Sequence, residues 1–568
     1  MNSSLIMLGA VLFFYFFGYR FYGKLIEDKL IKPSDDPTPA TTMRDGVDFV
    51  PAKKPILFGH HFASIAGAGP IIGPIVALAS FGWLAALGWI AIGNVFIGAV
   101  HDYLTLMISV RNKGASVADI AERAMSKRAK NIFSIFLYLA LLLVVTVFGM
   151  VGAKTLVAQP GMVIPTFFLI PVAMVFGWAV YVKNYPLIPA TVIVVMLNIG
   201  AIYVGFHYPL SLPEESLFGL KPLNLWFLIL MIYAGIASVL PVNILLQPRD
   251  YIATFNLYVA MFLGFIAILF VRPEMHAPPI ITTFSDSKGP IWPMLFVLVA
   301  CGAVSGFHSL VSSGTTSKQM SSEKDGKAIA FGGMLLEGTL AVMTLVMVGA
   351  GLYWVAPAGS GIDMGRYGIR EVLTSGGWVV AFGNGFGSVV SEMLPFVGFS
   401  IASMIAMTAL KTFILTTLDS STRIARFIIE ESLGKSSPIF ANKYVALLLV
   451  IVPSYLLGTS SGYTKIWPVF GATNQLIAAL ALMVVSTYLV GVRKPAKFTL
   501  IPAIFMIVTT IAALAWQALE FFTGVTPNYF LGYLSIILIL LALFVGYEGF
   551  SVFYRLEGKK KEEALAEI

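Results

Sequence analysis

The 568-residue chain holds a single cysteine, Cys301, which excludes an intrachain disulfide. Only 12% of its residues are charged, against about 25% in soluble globular domains. It has no G-x-x-x-x-G-K-S/T phosphate loop, which argues against ATP-driven pumping by this chain. The first apolar run, residues 3–22, lacks a basic leader and carries Arg20 and Lys24 at its far end, so it reads as a retained span and not as a signal peptide. The formal charge of +8 does not point to nucleic acid, because most Lys and Arg fall between apolar runs, where they set membrane topology.

What remains is apolar. Hydrophobic residues make up 58% of the chain and the mean hydropathy is +0.86, so an all-α polytopic membrane protein with about fifteen transmembrane helices is expected. Spans are predicted near 3–22, 56–80, 84–110, 132–158, 163–182, 187–206, 223–246, 251–271, 293–316, 329–355, 386–420, 444–458, 466–491, 498–519 and 531–553. Alternating sides puts most Lys and Arg on one face, which sets the N-terminus outside and the C-terminus in the cytoplasm. Ser116 and Asp119 fit a capping box, with Val117, Ile120, Ala121 and Ala124 on one face of a short cytoplasmic helix at 116–130. The tail from Arg555 to Ile568 is a charge run, expected to be a solvated cytoplasmic end.

Three spans carry more than apolar surface. Residues 59–74, GHHFASIAGAGPIIGP, put Gly67, Gly69, Pro70, Gly73 and Pro74 inside one span. Breaking a helix in lipid strands backbone amides and carbonyls, and it is tolerated where protein or a water-filled cavity satisfies them, as at a transporter binding site. The span at 223–246 has Gly235 and Pro241 and follows five spans later in the opposite orientation, the pattern of a five-plus-five inverted repeat, here 56–206 and 223–420. Residues 1–55 then form a first helix and loop, and 444–568 form additional helices and a tail. The third span, GAVSGFHSLVSSGTTSK at 302–318, crowds hydroxyls around His308. The carbonyl of Ser312 and the hydroxyls of Thr315 and Thr316 lie on one helix face and suit a small cation; bonding back to their own helix is the alternative.

Ionisable groups inside spans are costly and face partners or pathways. They are His60, His61, His101, Asp102, Lys154, His308, Glu337, Glu392, Lys411 and Asp419, with Asp419 expected to pair with the nearby Arg423. Adjacent His60 and His61 point about 100° apart on a helix and cannot ligate one metal from one face.

Five polar motifs, GHHFASIAGAGPIIGP, GNVFIGAVHDYLTLMISVRNKG, LPVNILLQPRDYI, SGFHSLVSSGTTSKQ and FGATNQLIAALAL, resemble in content and order the carbon starvation protein A family of bacterial and archaeal membrane transporters. The resemblance implies an inner-membrane transporter, with peptides or pyruvate as substrate, and a distant similarity to the amino acid, polyamine and cation transporter superfamily. On that similarity the superfamily's cation site falls on the carbonyls of Ala63, Ala66 and Ser312 and on Thr315 and Thr316. The expectation is a secondary transporter, not an enzyme, working by alternating access in carbon starvation, with H⁺ or Na⁺ as coupling ion and no cofactor or resident metal. Substrate carboxylate is expected between Gly67, Ala68, Gly69 and Pro70 of one span and Ser238 to Asn243 of another, with His61 and His308 touching substrate or proton. An ion channel, and a haem or metal protein using the span histidines, are the alternatives.

Overall fold

The computed structural model describes residues 4–213, 219–286, 288–356, 361–434, 437–461 and 463–557. The charge run at 558–568 lies outside the described residues. Among those described, fourteen helices are long and apolar enough to cross a membrane. In chain order the elements used below are α1 (Ser4–Ile31), α2 (Lys54–Ile65), α3 (Gly69–Phe81), α4 (Trp83–Arg111), α5 (Val117–Ala124), α6 (Lys127–Ala158), α7 (Pro160–Val182), α8 (Leu187–His207), α9 (Pro222–Val239) and α10 (Leu246–Val271). They continue with α11 (Ile291–Leu298), α12 (Gly306–Gly314), α13 (Glu323–Gly351), α14 (Gly377–Met393), α15 (Gly398–Leu433), α16 (Lys443–Ser461), α17 (Tyr463–Gly491), α18 (Lys497–Thr523) and α19 (Tyr529–Glu557).

Local chemistry sets several of these boundaries. The Ser116 hydroxyl accepts from the Asp119 amide at 3.2 Å, so the predicted cap starts α5. The helix stops at Ala124, however, because Ser126 caps a new one by accepting from the Ala129 amide. At Gly82 the chain turns with φ +94°, where only glycine is unstrained, and α4 starts at the next residue.

Two predicted spans are redrawn. The run 386–420 is two helices, because Pro395 lacks an amide for continued helix and Gly398 takes φ +70° at the start of α15. The run 223–246 is not a broken span: Gly235 lies within an unbroken α9, and the helix ends where Leu240, extended at ψ 149°, precedes Pro241. The second helix broken within a span is instead 291–314, which unwinds over residues 299–305 between α11 and α12.

The long α6 and α15 pack along each other in the core, and the other contacts come in matched sets. Helix α2 packs on α10 as α11 packs on α17; α3 packs on α13 as α12 packs on α4. Helix α9 lies against both α6 and α15, and so does α16. The hairpin α7–α8 is peripheral, and α8 is mostly exposed along its length. Helices α18 and α19 cover α17, which is buried throughout its span.

Candidate functional site

The two breaks meet inside the bundle. Gly69 leaves room for the Cys301 side chain, and Gly73 lies where a Cβ would come within 2.6 Å of the Leu298 carbonyl oxygen. Unwinding residues 299–305 frees backbone groups that lipid cannot satisfy. Side chains from two helices take them up. Trp89 Nε1 donates to the Val299 carbonyl at 3.2 Å, and Gln475 Nε2 donates to the carbonyls of Phe296 and Val299. Asn94 Nδ2 donates to Gly302 at 3.1 Å. Asn474 Oδ1 accepts from the Phe307 amide at 2.8 Å, while its Nδ2 donates to the Ser305 hydroxyl at 3.0 Å. Asn474→Ala would orphan a buried amide and hydroxyl at about 1–3 kcal/mol each; thermal unfolding in detergent should show a clear loss of stability, and an unchanged midpoint would refute this role.

Around the first break, residues 66–68, the wall is α15 and α6. Thr417 and Phe148 close on Gly67, and Ser64 lies 3.4 Å from Ser420 between hydroxyl oxygens. The Thr417 hydroxyl donates to the Ser64 carbonyl at 3.5 Å. The hydroxyls beside this break therefore belong to α15. The two hydroxyls predicted to serve as cation ligands lie elsewhere: Thr315 donates to its own helix at Val311, and Thr316 is 2.9 Å from His61 Nδ1; Ser312, whose carbonyl was the third expected ligand there, is buried in α12. Ala63 and Ala66 are buried in the last turn and at the end of α2.

Two ionisable clusters lie wholly buried in the bundle. In the first, Asp102 holds two imidazoles, His101 Nδ1 at 2.8 Å and His308 Nδ1 at 2.8 Å. His308 Nε2 points at Glu337 Oε2 across 3.3 Å, and neither Glu337 oxygen has a hydrogen-bond partner among the described residues. Helices α4, α12 and α13 each contribute. In the second, Arg249 bridges Asp250, at 2.5 Å, and Asp419, with Tyr233 and Thr416 also bound. His60 Nδ1 is 2.9 Å from Asp250 Oδ2, and Gln319 Nε2 is 3.3 Å from His60 Nε2. Asp419 thus pairs with Arg249, while Arg423 pairs with Asp48 at 3.2 Å. His60 and His61 do diverge, to α10 and to residue 316. No group of three or more His, Cys, Asp and Glu side chains among the described residues is arranged to hold a metal ion.

The structure brings Gly69 and Pro70 against Cys301 and Gly302 of the second break, while Gly67 faces Thr417 and Phe148; His308 lies just beyond the break in α12. The structure does not bring Ser238 and Asn243 there. The Ser238 carbonyl accepts from Arg426, whereas Gly67 faces Thr417 of the same helix. Nine residues of helix separate those two contacts, or about 14 Å. Arg423 and Arg426 bind the free carbonyls of Ala237, Ser238 and Leu240, a basic cap on the end of α9. The residues missed from the sequence are Asn94, Asn474 and Gln475 at the break and the hydroxyls of α15. Asn474 and Gln475 stand in a motif carrying the resemblance, FGATNQLIAALAL, which was a usable signal.

The family model described as carbon starvation protein CstA matches residues 2–361 and 363–513. The peptide transporter CstA of Campylobacter jejuni is 33% identical over 566 residues, spanning 90% of this chain and 79% of that protein. The pyruvate/proton symporter BtsT of Escherichia coli is 32% identical over 593 residues, spanning 90% and 81%. The peptide transporter CstA of Bacillus subtilis is 32% identical over 573 residues, spanning 93% of each. Among solved structures, a manganese transporter of Eremococcus coleocola matches with a TM-score of 0.52 at 12% identity, covering 90% of this chain and 99% of that one. That likeness is one of fold, and the expected five-plus-five transporter architecture with additional helices agrees with it.

Proposed function

The chain belongs to the carbon starvation protein CstA family, a family of membrane transporters, and we propose that it is a proton-coupled secondary carrier for a small carboxylate-bearing nutrient, pyruvate or a short peptide, working by alternating access in the plasma membrane in carbon starvation. The observation that carries this reading is the meeting of two broken helices at Gly69 and Cys301, beside the buried Asp102–His308–Glu337 cluster. Half-helix ends at such a crossing offer amides and dipoles to an anion. Substrate sits at residues 67–70 against residues 299–305, and no longer against Ser238 and Asn243.

The proton sits on the His308 cluster. His308 faces one carboxylate on each ring nitrogen, so a proton can pass between Glu337 and Asp102 through the imidazole. His61, bound to Thr316 next to α12, positions that segment. The matched packing supports repeats of α2–α6 with α9 and α10, and of α11–α13 with α15–α17, with α7–α8 inserted in the first. On this reading the repeat boundaries differ from the division 56–206 and 223–420. The face carrying residues 32–53, 111–130 and 492–496, with eleven Lys and Arg against six Asp and Glu, is the basic face and is the cytoplasmic one.

Purified protein in proteoliposomes, given labelled pyruvate or labelled dialanine, tests the reading under an imposed pH gradient, a sodium gradient or neither. Uphill accumulation of one solute driven by the pH gradient is expected. Equilibration without accumulation would mark a channel, and no flux of either solute would withdraw the substrate class.

A further inference from the structure

The cluster around His60 is not used by the mechanism above, and it sits where two structural groups meet. His60 belongs to α2, the first half of a broken helix, whereas Arg249 and Asp250 open α10, Asp419 and Thr416 lie on α15, and Tyr233 on α9. Gln319, held by Gln247 at 2.6 Å, reaches His60 from the segment after α12. Every one of these side chains except the tyrosine is at most 2% exposed. Thr254 of α10 also donates to the Gly59 carbonyl at 2.9 Å, so two polar links join α2 to α10 beside the apolar packing of Ile56 and Phe62.

The charges do not balance without a proton. Arg249 brings one positive charge against the two carboxylates of Asp250 and Asp419, which leaves a net negative charge at a buried site. Other ionisable groups near it are already matched: Arg423, a turn further along α15, is paired with Asp48, and Lys318 stacks on the rings of Phe49 and Phe427. His61, next in sequence, is turned towards Thr316. His60 is the one side chain of the cluster that can add a positive charge, and its Nδ1 already points at Asp250. An uncompensated buried charge is far costlier than a neutral buried pair, so the closed contact and the proton stabilise one another.

We infer that His60 and Asp250 form a second proton-binding site, separate from the His308 cluster, and that its proton latches α2 onto α10 and so closes the basic face. Loss of the proton frees α2 to move from α10 and opens that face. The inference rests on the carrier reading only in taking α2 as a moving part, and its test needs no substrate.

Ile56, at 1% exposure on α2 and packed with Tyr251 and Ile252 of α10, is the reporter. Ile56→Cys in a Cys301→Ala background, in inside-out vesicles, is labelled with a membrane-impermeant maleimide between about pH 5 and about pH 8, each rate divided by that of an exposed control cysteine at Val47 to remove the thiol's own pH dependence. The corrected rate should rise by about tenfold with pH. His60→Gln should label fast throughout, because the cluster stays negative. Asp250→Asn and Asp419→Asn each remove one negative charge and should label slowly throughout; either suffices if the other fails to fold. A flat profile in the parent, a His60→Gln profile like the parent's, or fast labelling of both Asn variants overturns the inference. Failed uptake with an intact labelling profile would instead fault the carrier reading.

Discussion

Gly306→Ala should leave little folded protein, while Gly200→Ala should leave the protein as stable as before or more so. The same methyl group is added in each case. At Gly306, where α12 begins after the second break, it would strike the Asn474 carbonyl and meet the Ile477 Cβ and the Ala478 amide, the last at 2.5 Å. Backbone atoms cannot turn aside, so α12 must part from α17. Doing so also pulls the Phe307 amide and Ser305 from Asn474. Overpacking costs about 1–3 kcal/mol, and each broken buried hydrogen bond adds about 1–3 kcal/mol. At Gly200, inside α8, a Cβ meets nothing within 4 Å among the described residues, and replacing a helix-interior glycine with alanine gains about 0.5–1 kcal/mol. Thermal unfolding of both variants in one detergent decides the matter. Equal midpoints would mean that α12 and α17 are not packed backbone to backbone.

That contrast also explains what could be read from the chain beforehand. The first break was legible because its cause is local: Gly67, Gly69 and Pro70 interrupt an apolar run, and Ala68 and Gly69 do mark the start of α3. The cap at Ser116 was legible for the same reason. The second break was assigned to Gly235 and Pro241, where glycine and proline interrupt a run in the same way. Its actual place, residues 299–305, is decided by Trp89, Asn94, Asn474 and Gln475, which lie far off in sequence. A helix unwinds in a membrane where partners accept its backbone, and such partners leave no local mark.

The candidate site divides in the same way. His308 was legible as an ionisable group in a span, yet its partner Asp102 is 206 residues away, and Asp250 is 190 from His60. Asp419 was assigned to Arg423 on sequence distance alone, whereas Arg249 reaches it from another helix. The hydroxyl-rich stretch at 302–318 read as a cation site because the residues suit one. The structure spends most of those hydroxyls on their own helix, through Ser309, Ser313, Thr315 and Ser317. The helical membrane fold and the first break were accessible, while the pairing of the buried ionisable residues was not.

Glu337→Gln should abolish uphill accumulation without unfolding the protein. Glu337 is fully buried and neither of its oxygens has a hydrogen-bond partner among the described residues, so an amide of the same shape replaces it without breaking a bond to them. Replacing Asp102 is different, since its carboxylate anchors both His101 and His308, and Asp102→Asn should cost about 3–5 kcal/mol in stability. Glu337→Gln therefore separates coupling from folding. A pH gradient of one unit is worth about 1.4 kcal/mol and supports about tenfold accumulation of a singly charged carboxylate moved with one proton. Wild-type vesicles should approach that ceiling, and Glu337→Gln vesicles should fill only to the outside concentration. Exchange of labelled for unlabelled solute, which needs no net proton movement, should persist in the variant. His308→Gln should behave alike, since it removes the ring that joins the two carboxylates. If both variants still accumulate solute uphill, the proton that drives uptake does not reside on His308 and Glu337. The His60 cluster, the second buried group able to take one, would then be the coupling site as well as the latch.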